Sequence, residues 1–341
     1  MRKMLSSLAL GLTISLSTAN SFAETTTLTF SAWVPPAHPI VANMITPWIE
    51  DVKQATEGRV EIKLLAKALG APPAHYDLAR DGTADMTFGV HGYTPGRFAL
   101  TKIVEFPFTG DSAEAISVAY WKVHEKYLAK ADEHSGVKLL GVFSHGPGEI
   151  HNSKRDVKSV ADLADMKIRV GGGVVNDVAD ALGVTALLQP ASKNYELLSN
   201  GVADGTFLPM ESIPSFKLAE LVKHTTMIPG GLYNTSFFLV ANKERFEALS
   251  AEDQAAIEKV SGEAFAKLAG KAWDEADAGG LKAVQDAGNT LTTADEAFIK
   301  ELQEKTAHIE GEWLKVAEEK GVDGAAALAE LRQLVKDYKS E

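Results

Sequence analysis

Apolar residues recur along this chain in two rhythms, every second position and every third or fourth, and the rhythms alternate. TLTFSAW carries Leu28, Phe30 and Ala32 between polar neighbours, which predicts a strand that breaks at VPPAHP. A helix follows: Pro39 suits a first helical position, and Val41, Met44, Ile45, Trp48 and Val52 share one face, with Pro47 predicting a kink. Glu57-Gly58 closes it, RVEIKLL resumes alternation through Val60, Ile62 and Leu64, and ARDGTADMTFGV reads as helix end, turn and third strand. A β-α-β-α-β unit of this kind implies parallel strands joined by right-handed crossovers.

After a helical stretch from Ala113 to Glu133 the rhythm repeats. VKLLGVF, KIRV and TFLP read as strands, with SVADLADM and VVNDVADALG as the helices between them. The predicted fold class is therefore α/β: two lobes with a cleft between them. A further strand, TSFFLV, follows the turn PGGLYN; Ser250 then opens a capping box, and Ile257, Val260, Phe265, Leu268 and Ala272 predict one helix running to about Ala278. Such a helix is long enough to span both lobes. The chain from Glu296 on is charged, amphipathic helix, and no repeat or low-complexity tract interrupts the pattern. The organisation expected is residues 24–146 plus 235–274 as lobe 1 and residues 147–234 plus 275–341 as lobe 2.

Residues 1–23 stand apart. Arg2 and Lys3 precede an apolar run from Leu5 to Leu16, and Ser21-Phe22-Ala23 offers a small-residue cleavage site, the pattern of a signal peptide for export. The run is too short to span a bilayer, which takes about 20 residues. The chain has 34 Lys+Arg, 46 Asp+Glu and no cysteine; without Arg2 and Lys3 the formal charge moves from −12 to −14. Disulfide and thiolate chemistry are excluded, and the acidic surface speaks against nucleic acid as a partner. An anionic small molecule would need positive charge concentrated at one place.

Enzymatic signatures are missing or incomplete. From Gly171 the chain reads G-G-G-V-V-N, with Asn176 where a dinucleotide fingerprint needs its third glycine. Phosphate-loop, G-x-S-x-G and H-E-x-x-H patterns are absent, and His145 with His151 has no standard ligand spacing. No cofactor or metal is expected. What remains is anion binding: KIRV ends a strand with Arg169 just before Gly171, Gly172 and Gly173, which open a helix. Helix N-termini favour anions, and a guanidinium fork matches a carboxylate. The residues leave two readings of Arg169 open: a ligand carboxylate, or pairing with Asp165 or Asp180.

Taken in order, TEGRVEIKLL with ALG, LARDGTADM, YTPGRF with EFPF, VKSVADLADMKIRV, ALGVTALLQPASKNYELLSNGVADG and KERFEALSAEDQAAIEKV resemble the DctP-type substrate-binding proteins of tripartite ATP-independent periplasmic (TRAP) transporters. The resemblance covers nearly all of the chain after residue 23. It implies a two-lobed α/β fold of the periplasmic-binding-protein kind (type II-like), and a periplasmic protein with no catalysis, which captures a small organic monocarboxylate, aromatic or zwitterionic, and delivers it to a sodium-driven permease of small and large membrane subunits. In the family the arginine of the KIRV segment, here Arg169, bridges to the substrate carboxylate.

Three departures modify that expectation. Gly171-Gly172-Gly173 replaces a usual proline, bringing backbone nearer a ligand; DGTFLPMES replaces DGQENP, putting Phe207 and Glu211 on that wall; and Glu149 stands where sugar-acid binders place a second arginine, which speaks for a hydroxyl, an amine or a quaternary cation. Position adds Trp33, Phe88, Tyr93, Tyr233 and Asn234 as cleft candidates, the aromatics able to stack on a ring or cage a cation. His91 and His145 are further candidate hydrogen-bond donors, while His38 is expected to cap the first helix. The rivals are a secreted two-lobed α/β enzyme acting on a small organic acid, and a sensor lobe that binds without transport.

Overall fold

The computed structural model describes residues 25–340, so the expected signal peptide lies outside the described residues. Strands run as β1 Thr26–Ser31, β2 Val60–Leu64, β3 Met86–Val90, β4 Val137–Ser144, β5 Gly148–Asn152, β6 Lys167–Val170, β7 Thr185–Leu188, β8 Gly205–Pro209, β9 His224–Met227, β10 Ser236–Asn242 and β11 Thr290–Thr293. They form two sheets, ordered β2-β1-β3-β10-β4 and β11-β9-β5-β8-β6-β7. The first three strands pair in parallel, as their helical crossovers require. The chain passes between sheets after β4 and returns before β10, giving two α/β lobes.

Two features of the first sheet differ from the sequence reading. VKLLGVF does not open a second unit; as β4 it closes the first sheet, antiparallel to β10. The reason is the return crossing, which threads β10 between β3 and β4. Pro47, for its part, is accommodated by a change of helix type. Ile40–Ile45 forms a wider π-helical run and the α-helix proper starts at Thr46, so the proline occupies a first-turn position where no N–H is needed. Val41, Met44, Ile45, Trp48 and Val52 are all buried.

The second sheet contains four strands without an alternating apolar signature: β5, β7, β9 and β11. In β5 the polar residues are buried and paired: His151 contacts the Thr225 hydroxyl at 2.9 Å and the Leu208 carbonyl at 3.2 Å. The expected long helix is interrupted. One helix spans Ala251–Lys259, capped by Ser250, whose hydroxyl accepts from Asp253 N–H at 3.1 Å; another spans Gly262–Asp286. Gly262 takes φ +58° at the break, pressed against Trp121, where a Cβ would lie 2.8 Å from the indole. The second helix packs on Ala113–Val123 and β4 at one end. At the other, Gly280 brings it against the Met210 carbonyl, 2.3 Å from where a Cβ would stand, so only glycine fits. It thus spans both lobes behind the cleft.

Candidate functional site

Arg169 lies in β6, between β7 and β8. Its side chain is 2% exposed, and its Nε–H donates to the Gln189 carbonyl at 2.8 Å. Neither Asp165 nor Asp180 nor any other described carboxylate comes within ion-pair distance. A buried cation without a counter-charge is costly to a fold, and this one opens onto a cavity of about 490 Å³, its mouth included, between the two sheets.

The cavity is lined by the rings of Trp33, Tyr93, Phe216, Tyr233, Phe237 and Trp273, with His38 and His145 among them. None of its lining residues is acidic. Trp33 packs on Phe88 at 5.6 Å between centroids and meets Tyr93 edge-on at 5.9 Å. Tyr93 reaches across the cleft, its hydroxyl accepting from Ala191 N–H at 2.9 Å. At the same level Gly92 and Gly172 touch backbone to backbone: a Cβ on Gly92 would lie 2.7 Å from the Gly172 carbonyl. Gly171 lines the cavity beside the Arg169 guanidinium. Four polar atoms of lining residues are buried without a hydrogen-bond partner among the described residues: the indole nitrogens of Trp33 and Trp273, and Nε2 of His38 and of His145.

The helix Val174–Ala181, whose N-terminus suggested an anion site, is capped from within. Val174 N–H donates at 2.9 Å to the Glu105 carboxylate, which also accepts from Ser236 N–H at 3.0 Å and from the Ser236 hydroxyl at 2.6 Å. Burial raises the Glu105 pKa, and these three bonds oppose the rise. The glycines therefore serve close approach to the facing loop, and the cavity's cation is Arg169 alone.

Of the residues singled out in sequence, Arg169, Trp33, Tyr93, Tyr233, Gly171 and His145 come together at the cavity. Phe88 lies behind Trp33 in the first core, and Phe207 is wholly buried, its carbonyl accepting from the Tyr233 hydroxyl at 2.9 Å. Asn234 donates at 2.9 Å to the carbonyls of both His145 and Gly146, tying the two chain crossings together. Glu149 faces a different groove with Asp111 and Asp277, its carboxylate accepting from Ile228 N–H at 2.6 Å. Burial pushes the Glu149 pKa well up.

Glu211 turns away from the cavity to its own helix, accepting from the Ser212 hydroxyl at 3.0 Å and from the Ser215 hydroxyl. His38 Nε2 stands 3.6 Å from it, and its Nδ1 accepts from Ile40 N–H at 3.3 Å, at the start of the first helix. Burial lowers His38 to about 4 and raises Glu211 to about 7, so between those values the contact is between a neutral imidazole and a largely protonated carboxyl. His91 points into the first lobe, between Ser236 and His134 at 3.1 and 2.8 Å. Trp273, Phe216, Phe237 and Thr235 belong to the cavity without having been singled out. Trp273 lies one position beyond Ala272 on the predicted helix, so the apolar pattern explains it as core.

Residues 30–315 match the model of the bacterial extracellular solute-binding protein family 7, DctP. Among solved structures, a TRAP periplasmic solute-binding protein from Bordetella bronchiseptica with bound (R)- and (S)-mandelate is 47% identical, with a TM-score of 0.90 over 91% of this chain and 99% of that one. A marine-metagenome TRAP protein specific for aromatic acids, in complex with 3-hydroxybenzoate, is 36% identical, with a TM-score of 0.86 over 93% and 100%. A third, from Rhodoferax ferrireducens with copurified benzoate, is 30% identical, with a TM-score of 0.86 over 92% and 98%. With its two α/β lobes and the matched family model, this chain belongs to the DctP family of TRAP periplasmic solute-binding proteins.

Proposed function

We propose that this protein captures an aromatic monocarboxylate in the cavity and hands it to a TRAP permease. The observation that carries the reading is one buried guanidinium without a counter-charge at the wall of an aromatic cavity that has no acidic residue. The guanidinium fork holds the carboxylate, each charged hydrogen bond contributing about 1.5–3 kcal/mol, while the rings of Trp33, Tyr93 and Trp273 cover the apolar remainder. The three similar solved structures carry mandelate, 3-hydroxybenzoate and benzoate, all aromatic monocarboxylates. Glu149, which spoke for an amine or quaternary cation, lies outside the cavity, so the zwitterionic variant of the expectation has no support from the lining.

In this reading the first 23 residues direct export and are removed. The lobes hinge where the chain crosses near 146 and 235, ligand binding closes them, and the closed form delivers its cargo to small and large membrane subunits driven by sodium. No bond of the ligand is made or broken. Titration calorimetry of residues 24–341 with benzoate, mandelate, succinate and glucuronate tests the assignment. Micromolar or tighter binding of the aromatic acids alone supports it; binding of succinate or glucuronate in their place overturns it.

A further inference from the structure

The two ring nitrogens of His145 are unequal. Nδ1 lies 2.5 Å from the carbonyl oxygen of Gly146, a contact that requires the proton on Nδ1. Nε2 is then a bare acceptor, and it is buried with no donor among the described residues. The ring stands edge-on to Tyr233 at 5.4 Å and to Trp273 at 5.9 Å, and all three line the cavity that holds Arg169. Burial lowers the His145 pKa to about 4, so the lone pair is free at neutral pH.

The other unpartnered groups have the opposite polarity. Arg169 and the indoles of Trp33 and Trp273 supply donors only, and a carboxylate answers them. A ligand made only of a ring and a carboxylate has nothing to offer Nε2, and an unmet buried acceptor weakens the complex. We propose that the physiological ligand carries a hydroxyl besides its carboxylate and that His145 Nε2 accepts the hydroxyl hydrogen, making His145 the residue that selects hydroxylated aromatic acids over unsubstituted ones. The inference rests on the preceding assignment of Arg169 to the carboxylate.

Two ligand pairs that differ by one hydroxyl test it: mandelate with phenylacetate, and 3-hydroxybenzoate with benzoate. Calorimetric dissociation constants are measured for the exported chain and for His145→Phe, which keeps a ring but removes the acceptor. The expected result is a preference of tenfold or more for the hydroxylated member of at least one pair, falling toward unity in the variant. The pair that shows it locates the hydroxyl. If all four acids bind with no preference, or the preference survives in His145→Phe, the inference is overturned while the role of Arg169 stands. If none binds, the Arg169 assignment falls and this one with it. Should His145→Phe fail to fold, the imidazole 15N shifts of the unaltered protein decide: Nε2 moves on adding the preferred acid if it accepts a hydrogen bond, and an unmoved shift refutes the role.

Discussion

The N–H of Val174 donates to the carboxylate of Glu105 at 2.9 Å, so a residue of the segment preceding the first-lobe helix caps a helix of the second lobe. The same carboxylate accepts from the backbone and hydroxyl of Ser236, at the return crossing. Three elements meet on one buried group, and Val174 lies two sequence positions beyond Gly172 of the cavity. Glu105→Gln replaces one accepting oxygen by an N–H that faces donors. The expected cost is about 1–3 kcal/mol, read in a thermal melt as a midpoint lowered by several degrees. An unchanged midpoint would mean that the cap contributes nothing.

Where the loops meet over the cavity, Gly92 and Gly172 leave no room for a side chain. Gly92→Ala places a methyl 2.7 Å from the Gly172 carbonyl and 2.8 Å from Gly173 N. Backbone on both sides cannot yield without parting the loops. Affinity for aromatic acids is expected to fall tenfold or more by calorimetry.

Gly279 is the comparison case: it lies inside the helix Gly262–Asp286 with nothing within 4 Å of an added Cβ. Gly279→Ala is expected to raise stability by about 0.5–1 kcal/mol. A chemical-denaturation curve checks this, and a loss of stability would contradict it.

Glu211 gives the protein a pH signature. Burial raises its carboxyl from 4.5 to about 7 in the folded state, with the Ser215 and Ser212 hydroxyls pulling the other way. The folded state therefore holds the proton more tightly than the unfolded chain. Its stabilising contribution is complete below about pH 4.5 and is lost as pH rises through 7, at about 1.4 kcal/mol per unit between those limits. Glu211→Gln is neutral throughout and escapes that loss. Its stability relative to the parent should rise by about 3 kcal/mol from pH 4.5 to pH 8 in urea unfolding. Parallel pH profiles would show that Glu211 ionises normally in the fold.

The sequence displayed Arg169 because a charged residue ending an apolar strand before three glycines is costly unless it has a task. Trp33 and Tyr93 were legible from their loops beside glycine and proline. Trp273, Phe216 and Thr235 were not: Trp273 reads as a core position of its helix, and Phe216 and Thr235 reach the cavity only through tertiary packing that no local pattern encodes. Glu149 shows the converse: a count along the chain reached β5, but strand alternation turned the carboxylate toward another groove. The four strands that went unread are four or five residues long, and β5 keeps Glu149, His151 and Asn152 buried through hydrogen bonds that periodicity does not register. The anion-binding role given to the glycine-opened helix failed for a related reason. Its first N–H, that of Val174, takes a carboxylate of the chain's own, from 69 residues away.

The claim that Arg169 exists for the ligand is tested most directly with Arg169→Met, which keeps most of the side-chain volume and removes the charge. Differential scanning calorimetry is run with and without mandelate at 100 times the parent's dissociation constant, which should stabilise the parent by about 2.7 kcal/mol. The ligand-free variant is expected to melt at or above the parent's temperature, because an uncompensated buried charge has been removed, and mandelate is expected no longer to shift it. A variant that melts well below the parent, or that keeps the full mandelate shift, would show that Arg169 serves the fold and not the ligand.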